Sequence, residues 1–487
     1  MANKRHIFIS LWNSCQMFFA GIAGLLCVTL ILTCISENPV LSEKKGSDIT
    51  PARIISGYHE LYAEIESQDI YTSPVISARF LLTLNLTIRD VVELYSKQKN
   101  SCFEQVATYN IIQDYEKNDT LLLSHMLNKA ISENLHSIFD ARVKNGKQII
   151  HKKFTYLQSA ILEKTTKGNI DYSRINQMVK KIADSIANKF LPPEYIKYPD
   201  FKVRDTMQNI FSHDNTVVPN KWVSSLLKYE SILNELGLQN VPNPEISNYK
   251  PMNDKILYAE ALEIYTLSKP LQYKFKWIAE FWSDDFPGVT YSPVTRWFSI
   301  LNQIIKKEKP SFDEVQKMYF LMSLALHETA VSCWKLKYST LQVRPSAYIQ
   351  AKIDPSWRPF HDNPPFPAYP SGHSAFGAST ASVLEYFFSK TYEFTDNSHR
   401  GNKAFLSEPR SFTSFREMAE ENALSRLYMG VHFRKDCEDG LHLGERIAKN
   451  ILNNMLLDTT LKTDGKYKIS SVQNESIFLD ASFNAQN

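Results

Sequence analysis

Three clusters in the C-terminal half of the 487-residue chain hold side chains able to do chemistry. Lys337 and Arg344-Pro345 form the first, Pro370-Ser371-Gly372-His373 the second, and Ser425-Arg426, Gly430-Val431-His432 and Asp436 the third. Lys337, Arg344 and Arg426 supply three cations. An arginine fork matches a tetrahedral oxyanion, and a lysine acts as a mobile point charge. Ser371 offers a hydroxyl, and Gly372 offers an amide that a ligand can approach with no Cβ in the way. A helix opening at about Ser374 would put this turn at a positive N-terminus. Of the two histidines, one suits a nucleophile or metal ligand and the other a general acid or base. Asp436 lies one helical turn past His432, where a carboxylate can hold the ring by its second nitrogen. Together these groups describe a site for a phosphate-shaped oxyanion. Each alone has an ordinary reading: a solvated cation, a capped turn, a core histidine, or, for Asp436, the cap of the last helix. Their joint occurrence carries the argument.

The elements that must position these groups read as helices. Ser311-Phe312-Asp313-Glu314 follows Pro310 and fits a capping box, which predicts a helix to Lys337. Ser414-Phe415-Arg416-Glu417 fits the same box and predicts a helix to about Met429; Leu441 to Leu457 forms a further one. Upstream, Arg53 to Lys189 holds several helical patterns, among them Leu121 to Lys164 with a break near Asn145-Gly146. Leu191-Pro192-Pro193 and the Pro242 to Pro251 stretch are the main interruptions. Only 15 glycines are present, which favours helix over hairpin-rich sheet, and no G-x-G-x-x-G or P-loop run occurs. The chain reads as all-α: residues 1–34 a leader, 35–52 a polar spacer, 53–250 an N-terminal helical region, 251–458 the domain that carries the clusters, and 459–487 a polar tail.

Composition narrows the class. Hydrophobic residues make up 43% and charged residues 22%, enough apolar material for a large core. With 55 basic and 52 acidic residues the net charge is only +3, unlike a nucleic-acid binder. A mean hydropathy of −0.30 and one long apolar run exclude a multi-pass membrane protein. That run, Met17 to Thr33 behind Lys4 and Arg5, reads as an export signal. Cys34 at its end resembles the lipidated cysteine of bacterial lipoproteins, although Thr33 departs from the usual small residue. Lipoprotein, uncleaved anchor and simple cleavage all place the body outside the cytoplasm, in the periplasm or cell envelope. Beyond the leader only Cys102, Cys333 and Cys437 remain, too few for a disulfide framework, and no C-x-x-C suggests zinc.

The order Lys, six residues, Arg-Pro; then Pro-Ser-Gly-His; then Ser-Arg, five residues, His, three residues, Asp resembles the signature of the vanadium haloperoxidases. Type 2 phosphatidic acid phosphatases and bacterial acid phosphatases share it. Every signature position is filled. Within this superfamily Trp334, three residues before Lys337, and the run Pro364-Pro365-Phe366-Pro367-Ala368-Tyr369-Pro370 look like fungal chloroperoxidases. Phe366 matches their Phe, where algal bromoperoxidases carry a His. Glu280-Phe281-Trp282-Ser283-Asp284-Asp285 is similar to a segment that puts a carboxylate near a site arginine, with Asp284 and Asp285 both in register.

The resemblance implies two helical bundles, the C-terminal one of the acid phosphatase and haloperoxidase type. It implies vanadate as cofactor, bound to the metal ligand His432 and held by Lys337, Arg344, Ser371, Gly372 and Arg426. Lys337 would also polarise bound peroxide, His373 would shuttle protons, and Trp334 with Phe366 would shape the halide pocket. Hydrogen peroxide and halide would be the substrates. Two alternatives stand beside it: an exported acid phosphatase that hydrolyses phosphate esters through a phosphohistidine on His432, and a non-catalytic oxyanion-binding lipoprotein. A membrane tether at the N-terminus and a homodimer are compatible with each.

Overall fold

The structure, a computed structural model, describes residues 50–68, 73–96, 120–140, 171–190, 233, 252–284, 289–364, 366–404 and 406–456. The expected leader and polar tail lie outside these residues; of the expected spacer only Thr50, Pro51 and Ala52 are described, and Pro51 already opens the first helix. Cys102, Asp285, the Leu191-Pro192-Pro193 break and the Pro242 to Pro251 loop also lie outside them.

The described chain is all-α apart from one short hairpin. The N-terminal region supplies α1 (Pro51–Gln68), α2 (Pro74–Ser96), α3 (Thr120–Asp140) and α4 (Tyr172–Phe190). Then follow α5 (Asp254–Leu267), α6 (Tyr273–Phe281), α7 (Pro293–Glu308), α8 (Phe312–Thr340), α9 (Pro345–Lys352) and α10 (Gly372–Phe387). Strands β1 (Phe394–Asp396) and β2 (Arg410–Phe412) pair antiparallel, with Phe394 opposite Phe412 and Asp396 opposite Arg410. Helices α11 (Phe415–Met429) and α12 (Arg434–Leu456) close the described chain. Among the described residues no helix is long and apolar enough to cross a membrane.

Helix α8 is the axis of the body. Ser311 caps it as expected: its hydroxyl accepts from Glu314 N, and the Glu314 carboxylate accepts from Ser311 N at 2.8 Å. The helix runs past Lys337 to Thr340, and its side chains are buried almost continuously from Val315 to Lys337. A helix apolar on all sides belongs inside a bundle. Helix α2 packs along one side of it and α10 along another. Polar side chains tie the N-terminal helices in. Arg79 on α2 donates from Nε to the Phe190 carbonyl at 2.7 Å, and its Nη1 meets His327 Nε2 on α8 at 2.9 Å. Glu66 on α1 accepts from the backbone N–H of Ser292, the cap of α7, at 3.0 Å.

The tightest helix pair is α10 against α12, and small residues permit it. A Cβ on Gly444 would lie 1.9 Å from the Ala375 carbonyl oxygen, and one on Gly440 2.6 Å from that of Ser371. Only glycine lets these two backbones approach so closely. Helix α12 begins at Arg434, well before the expected Leu441. Asp436 in its first turn reaches back to accept from Phe433 N at 3.1 Å, which gives a helix start that apolar periodicity does not register. Ser414 caps α11 as expected by accepting from Glu417 N at 3.0 Å, but the Glu417 carboxylate accepts from Thr413 N rather than Ser414 N, so the box is not reciprocal.

Candidate functional site

The three clusters converge. Lys337 stands in the last turn of α8, Arg344 caps α9, Ser371 caps α10, Arg426 lies in the last turn of α11, and His432 sits in the turn between α11 and α12. Each element end points its polar groups into the same interior. Ser371 accepts from Ser374 N, so α10 begins at Gly372 rather than near Ser374, and Gly372 and His373 form its positive first turn. The Ser371 amide donates to the Asp436 carbonyl at 2.8 Å, which joins this turn to the histidine turn.

All the signature side chains are buried. The Lys337 ammonium donates to the carbonyls of Pro367 (3.0 Å), Ala368 (3.0 Å) and Pro370 (2.6 Å). Arg344 donates from Nη2 to the Phe366 carbonyl at 2.9 Å and from Nη1 to Val431 at 2.8 Å. Its Nη1 also lies 3.0 Å from His432 Nε2. Arg426 donates from Nε to Ser425 Oγ at 2.9 Å and from Nη2 to the Trp282 carbonyl. A second contact, 3.4 Å to the Ala279 carbonyl, holds it at the C-terminal end of α6, where a cation is favoured.

His432 is held on both sides. Its Nδ1 lies 3.2 Å from Asp436 Oδ2. A guanidinium can only donate, so Nε2 carries the lone pair and Nδ1 carries the proton toward Asp436. The same Asp436 oxygen thus meets both the His432 ring and the Phe433 amide at the start of α12. Burial raises its carboxyl to about 7. His373 and His432 are both pushed well below the ordinary imidazole value, first by burial and then by the cations Arg426, Lys337 and Arg344. Asn422 on α11 donates to the His373 carbonyl at 3.3 Å and fixes that turn of α10.

An aromatic wall stands beside the cations. Trp334 and Phe366 have ring centroids 5.0 Å apart. The Lys337 ammonium lies 5.6 Å from the Trp334 ring and 5.1 Å from Phe366, and Arg344 lies 5.3 Å from Phe366. The Trp334 indole N–H is buried with no acceptor among the described residues.

The donor set fits vanadate. Three buried cations, the amides opening α10, the Ser371 hydroxyl and one imidazole lone pair are the groups that a tetrahedral oxyanion bound to one nitrogen requires. Gly372 leaves the approach open on one side, where a Cβ would stand 3.3 Å from Trp334.

Other residues were not legible in the clusters. The carbonyls of Pro367, Ala368 and Pro370 are backbone groups that spacing does not reveal. Asp284 is buried, but it faces Arg296 (3.4 Å) and His399 (2.9 Å) rather than a signature arginine. Among the described residues of this region, the carbonyls of Ala279 and Trp282 are the groups that reach Arg426; Asp285, the other candidate, lies outside them. Arg296 also donates to Asp396 of β1 at 2.8 Å and packs over Phe281 and Trp282. Its only sequence signal is a charge inside the apolar stripe of α7. Cys333 and Cys437 are both free, buried thiols.

Comparison with known proteins matches this architecture. A family profile described as the VCPO second helical-bundle domain covers residues 317–457. The vanadium chloroperoxidase of Curvularia inaequalis is 24% identical over 215 residues, 32% of this chain and 35% of that protein. The chain thus spans about a third of that relative's length. The crystal structure of the first bacterial vanadium-dependent iodoperoxidase superposes with a TM-score of 0.63 at 21% identity, covering 85% of this chain and 98% of that one. A holo-type bacterial vanadium-dependent chloroperoxidase gives 0.58 at 14%, covering 81% and 96%. These likenesses establish the fold, and the profile covers the domain that holds the complete signature. Residues 317–457 thus match the VCPO second helical-bundle domain, and the described chain has the fold of these vanadium-dependent haloperoxidase structures.

Proposed function

We propose that this chain is a vanadium-dependent haloperoxidase that oxidises halide with hydrogen peroxide. The observation that carries the reading is the Trp334–Phe366 wall directly beside Lys337 and Arg344. A halide is a weakly hydrated anion, and an apolar face backed by cations favours its transfer from water. A phosphomonoesterase has no need of such a face next to its oxyanion shell.

Bound vanadate would supply a Lewis-acidic centre that activates hydrogen peroxide at constant oxidation state. The chain's own residues do the rest. His432 offers Nε2 as the nitrogen ligand, in the tautomer fixed by Asp436. Lys337, Arg344, Ser371, Gly372 and Arg426 would hold its oxygens by charge-assisted hydrogen bonds, and the Lys337 ammonium would draw charge from hydrogen peroxide in the pocket. Overall, hydrogen peroxide, halide and one proton give hypohalous acid and water. His373, neutral because of its buried cationic surroundings, takes and returns protons in the pocket. Trp334 and Phe366 exclude water from the halide. We further propose that the export leader places the enzyme in the cell envelope, tethered at its N-terminus.

Vanadate-dependent halogenation of monochlorodimedone tests the proposal. Hydrolysis of p-nitrophenyl phosphate without halide oxidation would instead identify the phosphatase chemistry of the same shell, through a phosphohistidine on His432.

A further inference from the structure

We propose that His361, paired with Glu280, is the relay that carries protons between bulk water and the oxyanion pocket. The inference rests on the haloperoxidase reading, in which each turnover consumes one proton.

The chain around His361 bridges two sides of the pocket. The Phe360 amide donates at 2.9 Å to the carbonyl of Met429, the last residue of the helix that carries Arg426. Farther along, the carbonyls of Pro367, Ala368 and Pro370 hold Lys337. Phe360 itself packs against Ala279, Met429 and Val431, the last next to His432. His361 Nε2 lies 3.6 Å from Glu280 Oε1. Glu280 follows Ala279, whose carbonyl accepts from Arg426, and its other oxygen accepts from Leu406 N at 2.7 Å. The carboxylate is therefore fixed on the residue that follows the carbonyl contacting Arg426.

Exposure separates this pair from the inner residues. The His361 and Glu280 side chains are 23% and 16% exposed, whereas the His373 residue is only 6% exposed and Arg426 2%. Both side chains thus keep some contact with solvent, while Arg426 acts electrostatically on His361. Burial first, and Arg426 with it, disfavour the charged imidazole and leave its pKa below the ordinary value, against the pull of Glu280 and Asp362. Such a ring is mostly neutral near pH 7 and ready to take a proton from water. Glu280 stabilises the imidazolium so formed, and the proton then passes inward to restore His373. His373 is poorly placed to recharge directly, being buried among cations. The proton leaves bulk water, resides on His361 and ends in the product water; no electrons move on this path.

Two measurements on the full chain decide the matter. In the first, histidine C–H resonances are titrated by NMR, with that of His361 identified by its loss in His361→Gln. Inorganic vanadate, and inorganic phosphate in a parallel titration, should raise the His361 midpoint by offsetting Arg426, and Glu280→Gln should lower it. A midpoint indifferent to both anions overturns the relay. In the second, the pH dependence of halide oxidation is compared. His361→Gln should lower kcat by about tenfold or more, most strongly at high pH, with KM for halide and peroxide little changed. Added imidazole should restore part of the rate. A loss that is uniform across pH and not rescued, or a change in KM alone, contradicts the relay. A wild-type chain that binds vanadate but oxidises no halide contradicts the haloperoxidase reading and the relay with it. An active wild type matched by His361→Gln at every pH contradicts the relay alone.

Discussion

Arg344 Nη1 lies 3.0 Å from His432 Nε2. This contact does two things. It assigns the imidazole lone pair to Nε2, because the guanidinium has no other role than donor. It also places that lone pair next to a cation that suits the oxygens of an anion bound at the same nitrogen. Asp436, on the opposite side of the ring, completes the assignment by accepting from Nδ1.

The His432–Asp436 pair predicts a graded response. His432→Ala should abolish vanadate binding while the chain stays folded. Asp436→Asn, which weakens the hold on Nδ1, should cost about 10–100-fold in vanadate affinity. Isothermal titration with vanadate, alongside far-UV circular dichroism, reads both. Unchanged affinity in His432→Ala would place the binding nitrogen elsewhere.

Phe366 predicts halide preference. Its ring lies within 5.3 Å of both Lys337 Nζ and the Arg344 guanidinium carbon. Phe366→His replaces an apolar face with a hydrogen-bonding ring and should change the ratio of chloride to bromide turnover. The ratio of kcat/KM values for the two halides measures this; an unaltered ratio would reduce Phe366 to a packing residue.

Gly444 predicts a large loss of stability without any contact to the pocket. Alanine there would drive a methyl group into the Ala375 carbonyl, 1.9 Å away, and force α10 and α12 apart. Gly444→Ala should cost about 3 kcal/mol, at the upper end for overpacking. Urea unfolding checks the value. Because α10 begins at Gly372, vanadate affinity should fall with it.

Stability should peak near neutrality. His373 and His432 are held well below the ordinary value, so on acidification the unfolded chain takes up protons that the folded chain refuses. Their contribution is complete above about pH 6.5 and is lost as pH falls below it. Asp436 acts oppositely. Its folded value of about 7 lies above the ordinary 3.8, so its contribution is lost as pH rises through 7. Saturating vanadate should flatten the acid limb by offsetting the cations around His373. Thermal melts from pH 4 to 9, with and without vanadate, test the signs.

How much was legible follows from where the information sits. The capped starts at Ser311 and Ser414 and the convergence of Lys337, Arg344, Ser371, Gly372, His373, Arg426 and His432 were readable, since side-chain types at fixed spacing encode them. The start of α12 at Arg434 was not, because Asp436 rather than an apolar repeat sets it. The partners of Lys337 were hidden for a different reason: main-chain carbonyls leave no mark in residue types. Asp284 was one of two candidates, with Asp285, for a carboxylate near a site arginine, but its partner Arg296 comes from a helix with no motif. The β1–β2 hairpin, three residues a strand, is too short for alternation to show.

The central claim is that this oxyanion shell oxidises halide. The most direct measurement is a paired assay on the purified full chain with and without vanadate: monochlorodimedone halogenation with peroxide for chloride, bromide and iodide, beside p-nitrophenyl phosphate hydrolysis. The account predicts vanadate-dependent halogenation with at least one halide, abolished in His432→Ala. Phosphate-ester hydrolysis in the absence of any halide oxidation would contradict it.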